Sequence, residues 1–238
     1  MQHEADVKKV FDLPNYLINS ADRVVVRANI VSDFIGSIEG KKILDLGCGD
    51  GSLSSKYIAN NKITFVDFSE TMLNLAKSKI PKAYLQNATF IEESVTTLQL
   101  DDKYDYVICI GLVAHVESVD LLFEKLVSYL SDRGRLIIET TPNPFPLGKI
   151  FFPYYWLRNK FRKINFEYKK NRLKISEIDY RLSKQNLKIQ NHKRYCIQLP
   201  SFSHWSPSVK LWFTRKTLTN RFLSKFGSEH ILMYAKSN

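Results

Sequence analysis

Three glycines at every second position, Gly47, Gly49 and Gly51, follow an apolar run in KKILDLGCGDGSLS (residues 41–54), with Asp45 and Asp50 flanking them. Backbone without Cβ atoms lets a ligand approach the main chain closely, and a strand leading into such a turn is where nucleoside cofactors bind. The spacing is G-x-G-x-G rather than the G-x-G-x-x-G of dinucleotide sites. Two carboxylates beside a pyrophosphate would repel it, whereas they suit a ligand carrying an ammonium group. Asp67, 20 positions after Gly47, stands where a carboxylate accepts hydrogen bonds from ribose hydroxyls. A ribose joined to a cationic amino-acid tail points to S-adenosylmethionine. A second chemical candidate is His115, whose ordinary pKa near 6.5 suits a general base; a packing role at a helix entry is the alternative.

The elements that must position these residues follow from apolar periodicity. Val24, Val25, Ala28, Val31, Phe34 and Ile35 fall at helical spacing. Strands are expected at 43–46, 63–66, 89–92, 106–110 and 135–140. Helices are expected from Ser52 to Ala59, from the Ser69 cap to about Lys79, and from Val119 to Leu130 with Leu122, Leu126 and Tyr129 on one face. Alternation of this kind implies a doubly wound α/β fold, a mostly parallel sheet with helices on both faces. After Thr141 the rhythm breaks into TPNPFPLGKIFFPYYWLRNKFRK, a basic, aromatic-rich insertion after the fifth strand. A helix over 175–185, a strand over 187–197, a helix over 209–226 and a closing strand over 230–235 complete the pattern. The chain is thus expected to be a single domain over 1–238, with a cofactor-binding core over 1–141 and a basic, acceptor-side elaboration plus closing strands over 142–238.

Residues 42–141 resemble the class I S-adenosylmethionine-dependent methyltransferases, particularly the branch of ubiquinone-biosynthesis O-methyltransferases. The matching stretches are ILDLGCGDG (43–51), FVDFSETML (65–73), FIEESVTTL (90–98), YDYVICIGLVAHV (104–116) and GRLIIETTPN (134–143). The resemblance implies a Rossmann-like methyltransferase fold with a seven-stranded sheet. It implies Asp45, Gly47, Cys48 and Gly49 along the methionine part of the cofactor and Asp67 on the ribose. Phe68 and Met72 would lie against ribose and adenine, Ser94 and Val95 at the adenine ring, and Ile110 and Gly111 beside the methyl group. Many relatives carry Asp where Ser94 stands, so a weaker hydrogen bond to the adenine amine is expected. His115 matches a histidine that O-methylating relatives place near the methyl site.

Charge is divided unevenly. Residues 146–238 hold 20 Lys+Arg against 4 Asp+Glu, a net of +16, while residues 1–145 carry a net of −5. The second half is therefore expected to meet something anionic. Between Pro142 and Lys170, Phe145, Phe151, Phe152, Tyr154, Tyr155, Trp156 and Phe161 interleave with Lys149, Arg158, Lys160, Arg162 and Lys163. This suits peripheral contact with a membrane through 145–170, RNA, or a capping helix with a solvated charged face. Bunching of the aromatics favours a membrane surface, or a small-molecule or lipid-linked anionic acceptor. The first ten residues are polar rather than leader-like, no apolar run approaches the roughly 18 residues of a span, and three scattered cysteines suit reduced thiols. A cytoplasmic protein, peripheral at the inner membrane face, is the expectation.

The reaction expected is methyl transfer to a hydroxyl of a small or lipid-linked anionic metabolite, such as a quinone precursor or a sugar or polysaccharide precursor. A tRNA or rRNA methyltransferase, a nicotinamide-dependent oxidoreductase and an inactive cofactor-binding protein are the alternatives. No Asn/Asp-Pro-Pro-Tyr signature, which enzymes methylating DNA or amide nitrogens share, follows the fourth strand, so that chemistry is set aside; His192, His204 and His230 lack ligand spacing, so no metal is expected.

Overall fold

Strand β1 (Lys42–Leu46) is buried on both faces from Ile43 onward, which is why it reads as an unbroken apolar run rather than an alternating one. In the computed structural model, which describes residues 15–141, 152, 153, 156, 157, 170–197, 205–220 and 222–237, it sits near the middle of a seven-stranded sheet. The other strands are β2 (Lys62–Asp67), β3 (Ala88–Glu92), β4 (Tyr104–Cys109), β5 (Leu130–Thr140), β6 (Leu187–Tyr195) and β7 (Glu229–Lys236). Their order is β3-β2-β1-β4-β5-β7-β6. Pairings from β3 through β5 are parallel, and β7 runs antiparallel to both β5 and β6. The winding reverses between β1 and β4, so a crevice opens beyond their carboxyl ends.

Helices cover both faces. On one, Val26, Ile30, Val31 and Ile35 of α1 (Asn15–Ile35) meet Ile43, Phe65, Ile108 and Ile137, with α2 (Glu70–Ser78) and α5 (Pro207–Thr219) beside them. On the other, Leu122, Phe123 and Leu126 of α3 (Val119–Ser128) and Ile178 and Leu182 of α4 (Ile175–Ser183) meet Leu44, Leu46, Val107, Leu136 and Ile138. Each such aliphatic side chain contributes about 1.5–3 kcal/mol on burial.

Several boundaries differ from the periodicity, each for a local reason. No helix forms over 52–59. Ser54 and Ser52 donate to the carboxylates of Asp45 and Asp50, and only a 3-10 turn, Ser55–Tyr57, survives that competition. Helix α1 begins earlier than Val24, and its buried face takes in Val26 and Ile30 while leaving Val25 exposed. The last helix stops at Thr219, not Phe226. Asn220 turns extended, and its side-chain oxygen accepts from the Phe222 and Leu223 N–H groups to start a separate 3-10 turn, Leu223–Phe226. Of the aromatic segment, Phe152, Pro153, Trp156 and Leu157 are described, all exposed; before Lys170 the rest of the insertion lies outside the described residues. Among the described residues, no helix is long and apolar enough to cross a membrane, and no group of three or more His, Cys, Asp or Glu could hold a metal ion.

Candidate functional site

The turn after β1 is clipped to its neighbour before it reaches any ligand. The N–H groups of Gly47 and Cys48 both donate to the Val66 carbonyl, at 2.8 and 3.0 Å, so the chain bends sharply across the end of β2. Gly47 and Gly49 take φ of +66° and +52°, the left-handed region that side chains disfavour. A Cβ built on Gly49 would meet nothing within 4 Å, so open space lies against bare backbone there. Gly51 does a different job, since its Cβ would stand 3.0 Å from that of Ala76; it lets α2 pack close.

Asp67 ends β2 and organises the corner. Its carboxylate accepts from the Gly49 N–H at 2.8 Å and the Ser69 N–H at 3.0 Å. Ser69 in turn caps α2, accepting from Met72 N–H. Met72 is buried in that first turn and Phe68 is half-buried beside it. A carboxylate offers about four lone-pair positions, so these two backbone bonds do not by themselves fill it.

Asp45 is 1% exposed, and its Oδ2 accepts from Ser54 Oγ at 2.5 Å, while Oδ1 is buried with no hydrogen-bond partner. Burial pushes its carboxyl up to about 7; the Ser54 hydroxyl opposes this, and the charges of Asp67 and Asp50 add to it. A buried, unpaired carboxylate oxygen is costly unless something arrives to meet it, and a cation would meet it best. Asp50 lacks that free character. Lys79 and Ser52 hold it, so one of the two acids flanking the turn is neutralised within the protein.

The remaining expected residues divide by what they present. The Cys48 side chain is buried in the α1 layer, its thiol pushed well up by burial, so only its backbone faces the turn. Ile110 is likewise buried in that layer. Gly111, at φ +79°, carries the backbone at the end of β4. Ser94 anchors a turn after β3, its oxygen 2.8 Å from Thr96 Oγ1 and its carbonyl accepting from Leu98 N–H, with Val95 buried behind it. His115 is half-buried in the turn beyond β4, its N–H donating to the Leu112 carbonyl.

Two sets of residues escaped the sequence reading. Asn171 grips the His115 turn. Its side chain donates to the Val113 and Val116 carbonyls at 3.2 and 2.6 Å, and its N–H to Ala114 at 2.9 Å. The second set is a buried charge cluster at the same sheet edge. Arg27 of α1 pairs with Glu139 of β5 through Nε at 2.9 Å and Nη2 at 2.8 Å, and reaches Tyr195 at 2.9 Å and Glu229 at 3.9 Å. Tyr195 donates to Glu139 as well. A Cβ on Gly111 would lie 3.8 Å from both Arg27 Nη1 and Glu139 Oε2, so the cluster borders the end of β4. A lone arginine inside VVVRA and a lone acid ending LIIE were the available signals. A groove of about 500 Å3 lined by Gly36, Ile38, Tyr57 and Asn61 opens where β1 and β2 begin, the opposite edge.

Known proteins share this fold. In Synechocystis PCC 6803, a magnesium protoporphyrin IX methyltransferase with bound SAH has a similar fold, at TM-score 0.66 and 19% identity, over 99% of this chain and 100% of that one. A ubiquinone biosynthesis O-methyltransferase of Rickettsia felis is 29% identical over 128 residues, 52% of this chain and 52% of that protein. An (S)-coclaurine N-methyltransferase of Thalictrum flavum subsp. glaucum is 30% identical over 105 residues, 42% of this chain and 29% of that protein. The chain thus spans about half or less of the curated relatives it matches. A family model described as a methyltransferase domain matches residues 38–199, more than half of the chain, and the chain belongs to that family.

Proposed function

We propose that the chain is an S-adenosylmethionine-dependent methyltransferase acting on a hydroxyl of a small or lipid-linked anionic metabolite, such as a quinone precursor or a sugar or polysaccharide precursor. The observation that carries the cofactor half is the corner itself: open space against Gly49, the Asp67 carboxylate, and a buried Asp45 oxygen without a partner. These residues fit the group. Asp45 would meet its ammonium end, Asp67 its ribose hydroxyls, Phe68, Met72, Ser94 and Val95 the nucleoside, and the backbone of Ile110 and Gly111 the reacting end. When bound, S-adenosylmethionine supplies a methyl group already activated on a sulfonium.

What the chain adds is alignment and proton handling. Two groups held at near-attack distance react as one molecule, which is a large share of catalysis for an activated donor. A hydroxyl must also lose its proton, and His115 is the residue we assign to take it. Support for an anionic, lipid-linked acceptor comes from the +16 charge of residues 146–238 and from Phe152 and Trp156, 63% and 56% exposed beside a basic sequence. We also take the chain as one domain, since β6 and β7 join the sheet that the first half begins. Incubation with methyl-labelled S-adenosylmethionine and a fractionated extract tests the acceptor. Label in lipid or in small hydroxyl metabolites is expected; label in RNA nucleosides contradicts the acceptor assignment.

A further inference from the structure

Helix α5 is arranged the opposite way from a helix whose apolar residues serve only the core. Its buried side holds Thr214 and Thr217, 6% and 1% exposed, whose hydroxyls donate to the Lys210 and Thr214 carbonyls at 2.8 Å each. Leu211 and Leu218 flank them and pack on the α1 layer. The outer side carries Val209, Trp212 and Lys216, one stripe at helical spacing, with Val209 46% and Trp212 60% exposed. A helix packed on a core normally turns its apolar stripe inward and its hydroxyls outward.

The apolar surface continues past the helix. Asn220 accepts from the next two described N–H groups, and the 3-10 turn it starts leaves Phe222 66% and Leu223 37% exposed. From Ile197 to Ser228 the sequence holds five Lys or Arg and no Asp or Glu. The place matters too. β7 runs antiparallel and begins opposite Thr140, so residues 222–228 enter the sheet at the edge where β1, β4 and β5 end. Gly227 lies so tightly against Tyr195 that a Cβ would stand 2.7 Å from its backbone N and O, which fixes the turn to that edge.

We infer that the outer face of α5 and the turn after it form a docking surface for a bilayer carrying anionic headgroups. Trp212 and Phe222 enter at headgroup depth while the cations meet lipid phosphate, and residues 197–228 bring no acid to oppose them. Single-stranded RNA would also meet the cations, but it is held in grooves lined by stacking rings, whereas this is the convex side of a helix. Docking there sets the candidate site at the membrane surface. The inference draws its purpose from the lipid-linked reading of the acceptor, but its test does not depend on that reading.

The test is flotation of the full chain, without cofactor, on phosphatidylcholine vesicles with and without about 30% phosphatidylglycerol. Binding to the anionic vesicles is expected. The double variant Trp212→Ser/Phe222→Ser changes two exposed side chains, so its melting temperature should hold while its partition falls about tenfold or more. Lys216→Glu/Lys225→Glu should weaken binding most at low salt. Failure of the wild type to float with anionic vesicles, equal flotation of the aromatic double variant, or binding to bulk tRNA in place of vesicles each overturns the inference. A chain that binds S-adenosylmethionine but no vesicle contradicts this docking surface alone; one that binds vesicles but no cofactor contradicts the methyltransferase reading alone.

Discussion

The Asp67 carboxylate accepts a 2.8 Å hydrogen bond from the Gly49 N–H, so the acid at the tip of β2 shapes the turn at the tip of β1. Its other oxygen accepts from Ser69 N–H, tying the same corner to the start of α2. Asp67→Ala should therefore cost stability and cofactor affinity together, each by roughly 1–3 kcal/mol. Urea unfolding and calorimetric titration with S-adenosylmethionine read the two effects separately. Unchanged affinity would remove Asp67 from the site.

Asp45 predicts a pH dependence. Burial raises its carboxyl to about 7, above the ordinary value near 3.9 that it regains on unfolding. Its stabilising contribution is therefore complete below about pH 4 and is lost as pH rises toward 7, after which it is constant. Binding of an ammonium-bearing ligand runs the other way, because it needs the ionised form. Affinity should rise up to about tenfold per pH unit below 7, then level off. Asp45→Asn should weaken binding and flatten both profiles, which titrations and melts from pH 5 to about 8 can check.

The turn glycines should separate binding from stability. Gly49→Ala meets only the left-handed strain of about 1–2 kcal/mol, yet sets a methyl in the ligand's space, so affinity should fall more than stability. In Gly51→Ala the new methyl would stand 3.0 Å from the Ala76 Cβ and 3.3 Å from Phe65. That variant should lose roughly 2–4 kcal/mol of stability. Paired denaturation and binding curves decide it.

Arg27→Ala strands Glu139, 3% exposed, without its guanidinium partner, while Glu229 keeps Arg23 at 3.6 Å. Removing one member of a buried ion pair costs about 3–5 kcal/mol. Urea midpoints should shift accordingly, and Tyr195→Phe, which removes one neutral donor, should cost only about 1–2 kcal/mol.

His115→Ala should lower turnover about 10²–10⁴-fold while leaving cofactor affinity unchanged. Asn171→Ala frees the Val113 and Val116 carbonyls and should loosen the same turn, costing about 1–3 kcal/mol and part of the turnover. A loss below about threefold in His115→Ala would return that histidine to a packing role.

How much of this was legible depends on how local each feature is. The strands and the Ser69 cap could be read from neighbouring residues, because burial on both faces makes β1, β2, β4 and the second half of β5 apolar runs and a cap needs only its own helix. The glycine turn and Asp67 were legible through spacing. The partnership between Arg27 and Glu139 was not, since 112 positions separate them and only the fold unites them. The same holds for Asn171, whose grip on the His115 turn spans 55 to 58 positions. The absent helix after Gly51 turned on two serines, Ser52 and Ser54, whose hydroxyl targets lie outside any periodicity. Neutralisation of Asp50 by Lys79 was equally hidden, though both residues had been in view.

The central claim is that the corner formed by Gly47, Gly49, Asp45 and Asp67 takes a sulfonium nucleoside. Calorimetric titration of the full chain with S-adenosylmethionine, run beside NAD, tests it most directly. One saturable site for S-adenosylmethionine, weakened in Asp67→Ala and absent for NAD, is the predicted result. Saturable binding of NAD with no heat from S-adenosylmethionine would contradict it.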